Sequence, residues 1–411
     1  MGRNRYFIGI IFAFIFLINA GIMVGCWDQT EIEDLGIIVG VAIDKPKTAE
    51  GKEEEKKESE RNLSYEKHRL TVTQQFVVSQ AMGSKESSAG MPSQEAYSNV
   101  ASEGNTLFQI ARQFSTMSSR LPYYKHLKAI IISEEIAKSL NLEQLLNFFL
   151  REPEMTRDIQ VMISKGCARD VLEVKPIKER LPVLALLSLT ENEKKTARMA
   201  EKLMLGNMSK KMANGSSFLI PRVVTYGDSV QLAGAAFIKG KENTMIGWLG
   251  EEETEAINWI LGKIEGSAVE TVDKETKEFL VYEVKEQRSQ IKPKVEGEKI
   301  SFVVEIESEG GLGEDWLISG DAFEEAFMQR ATEAIREEIV SIIYDGLTKT
   351  QKEFKVDVAG FGKQLYVQYP EVWEKVKENW DEYFSTVPVE VNVEIHVREF
   401  GMKGSKSMQH E

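Results

Sequence analysis

Residues 387–398 near the end of the chain read VPVEVNVEIHVR, and they decide the fold class of the last third. Six apolar side chains at strict period two alternate with proline or polar residues, which predicts a strand with one face on a core. Upstream, apolar residues recur at spacings of three and four from Phe323 to Leu347 and again from Val372 to Phe384. Each of these stripes predicts an amphipathic helix.

A hairpin completes this part of the chain. Residues 279–287 and 300–306 have the composition of strands, and Glu296-Gly297-Glu298 between them is a turn sequence. Helices packed on one side of a largely antiparallel sheet form an α+β domain, and we predict that class here.

The first third predicts a different arrangement. Residues 36–43 (GIIVGVAI) form a continuous apolar run typical of a buried strand. Further strands are predicted around residues 70–78, 128–132 and 159–163, alternating with helices, one of them from Ala101 to Phe114. This alternation predicts a mixed sheet covered by helices.

Three domains are therefore expected, with mixed or antiparallel sheets covered by helices. Residues 177–212 are predicted to form a helical link, and residues 45–61, with twelve charged residues in seventeen, a disordered insert. The predicted segments are a signal peptide (1–25), an N-terminal mixed-sheet α/β domain (26–195), a small middle domain (196–264), a C-terminal α+β domain (265–402) and a tail (403–411).

The N-terminus carries an export signal. Arg3 and Arg5 precede twenty uncharged residues, 6–25, which either form a cleaved signal peptide or are long enough to span a membrane. The run ends at Cys26, and residues 21–26 (GIMVGC) resemble a bacterial lipobox, with Met23 in place of the usual leucine. We therefore predict cleavage before Cys26 and a diacylglyceryl group on its sulfur. Two acyl chains are enough for stable attachment to a membrane.

Composition excludes several classes of protein. The net charge of −14 argues against a nucleic-acid binder. The only cysteines are Cys26 and Cys167, so there is no disulfide framework, and the four histidines are too scattered for a metal site. Cys167 is expected to be a buried structural thiol. Phosphate-binding loops, nucleophile elbows and zinc-protease motifs are absent from the sequence, and we predict no enzyme, no metal and no cofactor.

Several motifs together resemble the Ger(x)C family of spore-germination lipoproteins. They are the Cys26-Trp27-Asp28 start, residues 36–45 (GIIVGVAIDK), 148–166 (FFLREPEMTRDIQVMISKG), 232–249 (LAGAAFIKGKENTMIGWL) and 357–365 (DVAGFGKQL). The resemblance spans essentially the whole chain after residue 25, in order. Residues 360–362 (GFG) could suggest a ligand loop, but a tight turn with an aromatic plug in the core is the expected structure.

The resemblance implies a three-domain α+β protein that is the non-catalytic C subunit of a nutrient germinant receptor. It implies a location at the outer face of the endospore inner membrane, through the lipid on Cys26. The implied partners are two integral-membrane receptor subunits, A-type and B-type. The alternative function is a solute-binding lipoprotein that delivers a small ligand to a transporter.

Overall fold

The computed structural model describes residues 35–46, 69–78, 95–315 and 325–399. Two sheets with helices packed against them confirm the α+β class. Residues 1–34, with Cys26, lie outside the described residues, as do residues 47–68 of the charged insert region and the tail.

The first sheet has ten strands in the order β10-β9-β8-β6-β5-β1-β2-β3, with β4 paired to β1 and β7 to β6. Strands β1, β5, β6 and β8 run parallel, and β2, β3, β9 and β10 add antiparallel pairs at the two sides, so the predicted mixed sheet is confirmed. The elements are β1 (Leu35–Asp44), β2 (Leu70–Val77), β3 (Tyr97–Gly104), α1 (Leu107–Met117), β4 (Leu121–Tyr123), β5 (Ala129–Ser133), α2 (Glu134–Ser139), α3 (Leu142–Arg151), β6 (Gln160–Ser164), α4 (Ala168–Glu173), α5 (Pro182–Thr190), β7 (Leu203–Met204), α6 (Leu205–Ala213), β8 (Phe218–Tyr226), β9 (Ser229–Lys239), β10 (Thr244–Leu249) and α7 (Glu251–Leu261).

Both faces of this sheet are covered, which explains the unbroken apolar run of β1. Ile38, Val41 and Ile43 pack into the core under α1, α2, α3 and α6. Val39 and Ala42 point the other way, into the core under α4 and α5. A strand buried on both faces needs no polar alternation.

Three local predictions are wrong. The single helix predicted from Val372 to Phe384 is divided into the helix Pro370–Val376, a 3₁₀ turn at Lys377–Asn379 and the helix Trp380–Phe384. Ala101 lies in strand β3, and the helix begins only after Thr106, whose hydroxyl accepts the N–H of Gln109 at 3.2 Å as an N-cap. Residues 177–212 are not one helix. Helix α5 ends at Thr190, which donates its hydroxyl to the Leu187 carbonyl at 2.7 Å, and a 3₁₀ turn (Glu191–Lys195) follows before β7 and α6.

The strands of the middle segment extend the first sheet. β8, β9 and β10 are hydrogen-bonded next to β6 and do not form a sheet of their own. The division into three domains, with the boundaries given above, remains a prediction.

The second sheet has four strands in the order β11-β12-β13-β14. The predicted hairpin is confirmed: β12 and β13 pair antiparallel around Gly297, whose φ of +63° favours glycine. Val391, Val393 and Ile395 are buried as the alternation predicts, but β14 runs parallel to β13 because α8 to α11 intervene. The elements are β11 (Ala268–Val272), β12 (Phe279–Glu296), β13 (Lys299–Asp315), α8 (Glu325–Thr348), α9 (Phe361–Gln368), α10 (Pro370–Val376), α11 (Trp380–Phe384) and β14 (Val389–Glu399).

Helix α7 joins the two sheets. Its Trp259 is fully buried in a core that combines Phe237 and Leu249 of the first sheet with Leu280 and Val284 of the second. The second sheet therefore shares a hydrophobic core with β9 and β10 of the first sheet, and this core is separate from the two described above.

Candidate functional site

The most specific motif of the C-terminal region, residues 357–365, is built around one carboxylate. Asp357 accepts the backbone N–H groups of Gly360 (2.7 Å), Phe361 (3.1 Å) and Gly362 (2.7 Å). These are the free N–H groups at the start of α9, which a side-chain acceptor normally satisfies. The indole N–H of Trp380 is a fourth donor, at 3.0 Å. Burial raises the pKa of Asp357, and the four hydrogen bonds oppose that rise.

Steric constraints explain why glycine stands at both positions 360 and 362 of this motif. Gly360 has φ +85°, a left-handed conformation that side chains disfavour. A Cβ on Gly362 would lie 2.7 Å from Trp380 Nε1 and 2.9 Å from Trp373 Cζ3. Between them in the chain, Phe361 is fully buried against Phe302 and Phe384. Residues 360–362 are thus the tight turn with a core aromatic that the sequence predicts.

A second carboxylate caps a helix in the N-terminal region. Asp44, the last residue of β1, accepts the N–H groups of Ala168 (2.7 Å) and Arg169 (2.9 Å) at the start of α4. Burial raises the pKa of Asp44, and these backbone hydrogen bonds pull it down. The capping role of Asp44 was not predicted. The one feature of the sequence that could have indicated it is a single acidic residue at the end of the apolar run 36–43.

Cys167 lies next to this cap. Burial, together with the nearby Asp44 carboxylate, raises the pKa of the thiol to about 11. A nucleophilic cysteine requires a lowered pKa. Cys167 is half-buried and not fully buried as expected, and its raised pKa makes it a neutral thiol at physiological pH.

A third buried carboxylate, also missed in the sequence, lies where the sheets join. Glu255 of α7 accepts the guanidinium Nε–H of Arg198 at 3.2 Å. One turn later, the Asn258 amide donates to the carbonyls of Ala197 (2.7 Å) and Met199 (2.9 Å). Burial raises the pKa of Glu255, and Arg198 opposes the rise. These contacts fix α7 against residues 197–199. Glu251, Glu252 and Glu253 form the first turn of α7, where their negative charges favour the positive end of the helix dipole.

A groove of about 600 Å³ lies between α1 and α3. Phe108 and Phe148 form its aromatic wall, with ring centroids 6.4 Å apart. Its polar lining comes mainly from amide side chains: Asn105, Asn141, Gln144 and Asn147. Within residues 35–46, 69–78, 95–315 and 325–399, no three His, Cys, Asp or Glu side chains are grouped to hold a metal ion. The helices in the same ranges are all too short or too polar to cross a membrane.

Comparison with known proteins identifies the family. A family model described as "Spore germination protein N-terminal domain" matches residues 28–225, and one described as "Spore germination B3/ GerAC like, C-terminal" matches residues 233–401. The two matches meet at the β8–β9 hairpin, inside the first sheet.

Two curated relatives come from Bacillus subtilis (strain 168). Spore germination protein YndF is 38% identical over 92% of this chain and 93% of its own length. Spore germination protein B3 is 28% identical over 92% of this chain and 95% of its own length.

A solved structure, "Crystal Structure of the GerBC protein", has the same fold. It matches with a TM-score of 0.58 at 24% identity and covers 90% of this chain and 100% of its own. Both halves of the sequence and the fold agree, and the chain therefore belongs to the Ger(x)C family of spore-germination proteins.

Proposed function

We propose that the chain is the lipid-anchored, non-catalytic C subunit of a nutrient germinant receptor in the bacterial endospore. The family match over residues 28–225 and 233–401 carries this proposal. The sequence adds the anchor, an uncharged run of twenty residues that ends at Cys26. A diacylglyceryl group there holds the protein at the outer face of the inner membrane, beside two integral-membrane subunits.

The chemistry of the buried polar groups supports a non-catalytic role. Asp44 and Asp357 are committed to capping helices, and Glu255 is committed to Arg198. The Cys167 thiol has a raised pKa, which lowers its reactivity. These groups hold elements together, as is typical of an assembly subunit.

Tethering suits such a subunit. A lipid anchor confines the protein to the membrane surface and raises its effective concentration around membrane partners, which strengthens weak contacts without additional interface.

Replacement of Cys26 by alanine in sporulating cells tests the proposal, with Cys167→Ala as the matched cysteine control. We expect Cys26→Ala to abolish palmitate labelling, to lower recovery of the integral-membrane subunits with the tagged protein, and to reduce nutrient-triggered germination. Cys167→Ala retains all three. Normal labelling and normal germination of Cys26→Ala would contradict the proposal.

The groove between α1 and α3 favours the second candidate, a solute-binding lipoprotein, because its amide and aromatic lining suits a small polar ligand. Titration calorimetry of the unlipidated chain with amino acids and sugars separates the two functions. Micromolar binding that Phe148→Ala removes would favour solute delivery.

A further inference from the structure

One end of the first sheet is defined by the start of β1. Strand β4 pairs with it there, Leu35 opposite Leu121. The antiparallel β2 finishes at the same end, with Phe76 opposite Ile38, and β3 begins beside it, with Tyr97 opposite Val77. We call this region the entry end, because the chain enters the sheet here from Cys26.

The first loop at the entry end leads from α1 into β4. It exposes two large apolar side chains, Met117 (52% exposed) and Leu121 (56% exposed). Tyr123, the last residue of β4, packs edge-on against His126 in the following loop, at 5.9 Å between ring centroids.

The segment around this loop, residues 104–133, is positively charged, which is unusual in this acidic chain. Residues 104–133 contain no Asp or Glu, although the protein has 65 acidic residues in 411. The same thirty residues carry four cationic side chains: Arg112, Arg120, Lys125 and Lys128. Acidic groups from other elements also lie near this segment. Lys128 attracts the carboxylate of Asp158, and burial together with the charges of Glu152 and Glu154 raises the pKa of Tyr124.

A second loop, residues 174–181 (VKPIKERL), reaches the same end from the opposite face of the sheet. The preceding Leu172 carbonyl accepts the amide of Asn99 at 2.8 Å, near the start of β3. Lys175 pairs with Glu95, two residues before β3, at 3.3 Å. Ile177 in this loop is 99% exposed, and its charged neighbours in sequence are Lys175, Lys178 and Arg180, with one acidic residue, Glu179, among them.

The distance to the anchor is short. Eight residues separate Cys26 from Leu35, and the nine Cα–Cα steps from one to the other span at most about 30 Å in a fully extended chain. A lipid on Cys26 therefore keeps the entry end within about 30 Å of the bilayer surface, closer than the opposite end of the ten-residue strand β1 on average.

We propose that the entry end, through Met117, Leu121 and Ile177 with their cationic neighbours, is a second membrane contact that rests on anionic phospholipid. This inference rests on the lipid anchor of the proposed function. Exposed apolar side chains enter the interfacial region of a bilayer, and lysine and arginine next to them are attracted by anionic headgroups. Contact at both loops places one end of the strands of the first sheet at the membrane and the other end away from it. It thereby fixes which side of the protein faces membrane partners.

Site-directed fluorescence on the lipidated full chain tests the orientation. In a Cys167→Ala background, single cysteines replace Leu121, Ile177 or, as control, Tyr226, which is 60% exposed at the opposite end of β8. Each is labelled with a polarity-sensitive dye and placed in vesicles of phosphatidylglycerol and phosphatidylethanolamine. We expect spin-labelled lipid to quench the dye at positions 121 and 177 at least threefold more than at position 226.

A second measurement is independent of the anchor. The chain of residues 26–411 with Cys26→Ala, which carries neither the lipid nor the uncharged run 6–25, is sedimented with vesicles of phosphatidylglycerol or of phosphatidylcholine. We expect stronger binding to the anionic vesicles, and at least a fivefold loss in Lys125→Glu/Lys178→Glu. The control Lys138→Glu/Arg169→Glu makes the same charge change at the opposite end and binds like the parent.

The outcomes separate the two proposals. A lipidated chain that floats with vesicles, but whose dyes at positions 121 and 177 are quenched no more than at position 226, overturns the membrane contact and leaves the anchor standing. A wild-type chain that does not float contradicts the anchor of the proposed function. Equal sedimentation of both charge variants with anionic vesicles also overturns the membrane contact.

Discussion

The indole N–H of Trp380 donates to Asp357 Oδ2 at 3.0 Å, so that one carboxylate caps helix α9 and holds helix α11 against it. Trp380 also packs edge-on against Trp373 and Phe302. The contact therefore ties three helices to the second sheet, and it depends on an acceptor that can receive four donors.

Loss of that acceptor should destabilise the protein. We expect Asp357→Ala to lower the free energy of unfolding by about 2 kcal/mol or more, since an N-cap contributes about 1–2 kcal/mol and buried donors are left without a partner. Trp380→Phe keeps an aromatic ring but loses the N–H and part of the indole packing, and should cost about 1–3 kcal/mol. Urea denaturation measures both. The exposed Asp345→Ala in α8 is the control, and an equal effect there would contradict the capping role.

The close approach at Gly362 gives a second prediction. Gly362→Ala places a Cβ 2.7 Å from Trp380 Nε1, so the indole must shift and its bond to Asp357 is lost. We expect a loss of about 2 kcal/mol and a change in tryptophan fluorescence. Gly313→Ala in β13 is the matched control, because its nearest neighbour would be 3.8 Å away. Similar stabilities of the two variants would show that the indole is not held in place.

Regular patterns were the part of the fold that sequence could predict. The alternation in residues 387–398 and the apolar run at 36–43 identified β14 and β1 because one or both faces of each strand are buried. Which strands pair with each other was harder to predict from the sequence. The middle strands β8 to β10 show ordinary hairpin signals, and nothing local indicates that β8 pairs with β6, more than fifty residues earlier in the chain.

The capping roles were harder still to predict. Asp44 and Ala168 are 124 residues apart, and Arg198 and Glu255 are 57 apart, so neither contact has a local signature. Asp357 lies in the motif of residues 357–365, and the two glycines of that motif indicated a turn. The fourth donor, Trp380, depends on how α11 folds back.

The thiol of Cys167 should react slowly. Its pKa of about 11 leaves little thiolate at pH 8, and thiolate is the species that alkylates. In the Cys26→Ala chain, where Cys167 is the remaining cysteine, we expect iodoacetamide to modify it at least tenfold more slowly than after unfolding in urea. Asp44→Asn removes the neighbouring charge and should raise the reaction rate. Equal rates in folded and unfolded protein would contradict a buried, neutral thiol.

Asp273 should make the stability of the second sheet depend on pH. The carboxylate is buried in the β11–β12 turn, where it accepts the Thr276 hydroxyl at 3.0 Å and the Arg330 guanidinium of α8 at 3.3 Å. Although burial alone would raise its pKa, these hydrogen bonds hold the pKa below the ordinary value of 3.8. The folded protein therefore favours the ionised form more than the unfolded chain does. The stabilisation is complete above roughly pH 5 and is lost as the pH falls through the folded-state pKa.

Asp273→Asn isolates this contribution. At pH 7 we expect the variant to be less stable than the parent by about 2 kcal/mol, the size typical of hydrogen bonds to a charged group. At pH 3, below the ordinary Asp pKa of 3.8, the unfolded parent binds a proton at Asp273 that the folded parent binds less readily, so the difference in unfolding free energy between parent and variant should shrink. Urea titrations at both pH values measure it, with the exposed Asp345→Asn as the control for general charge effects. A difference that stays constant or grows toward low pH would mean that Asp273 does not stabilise the fold through its ionised form.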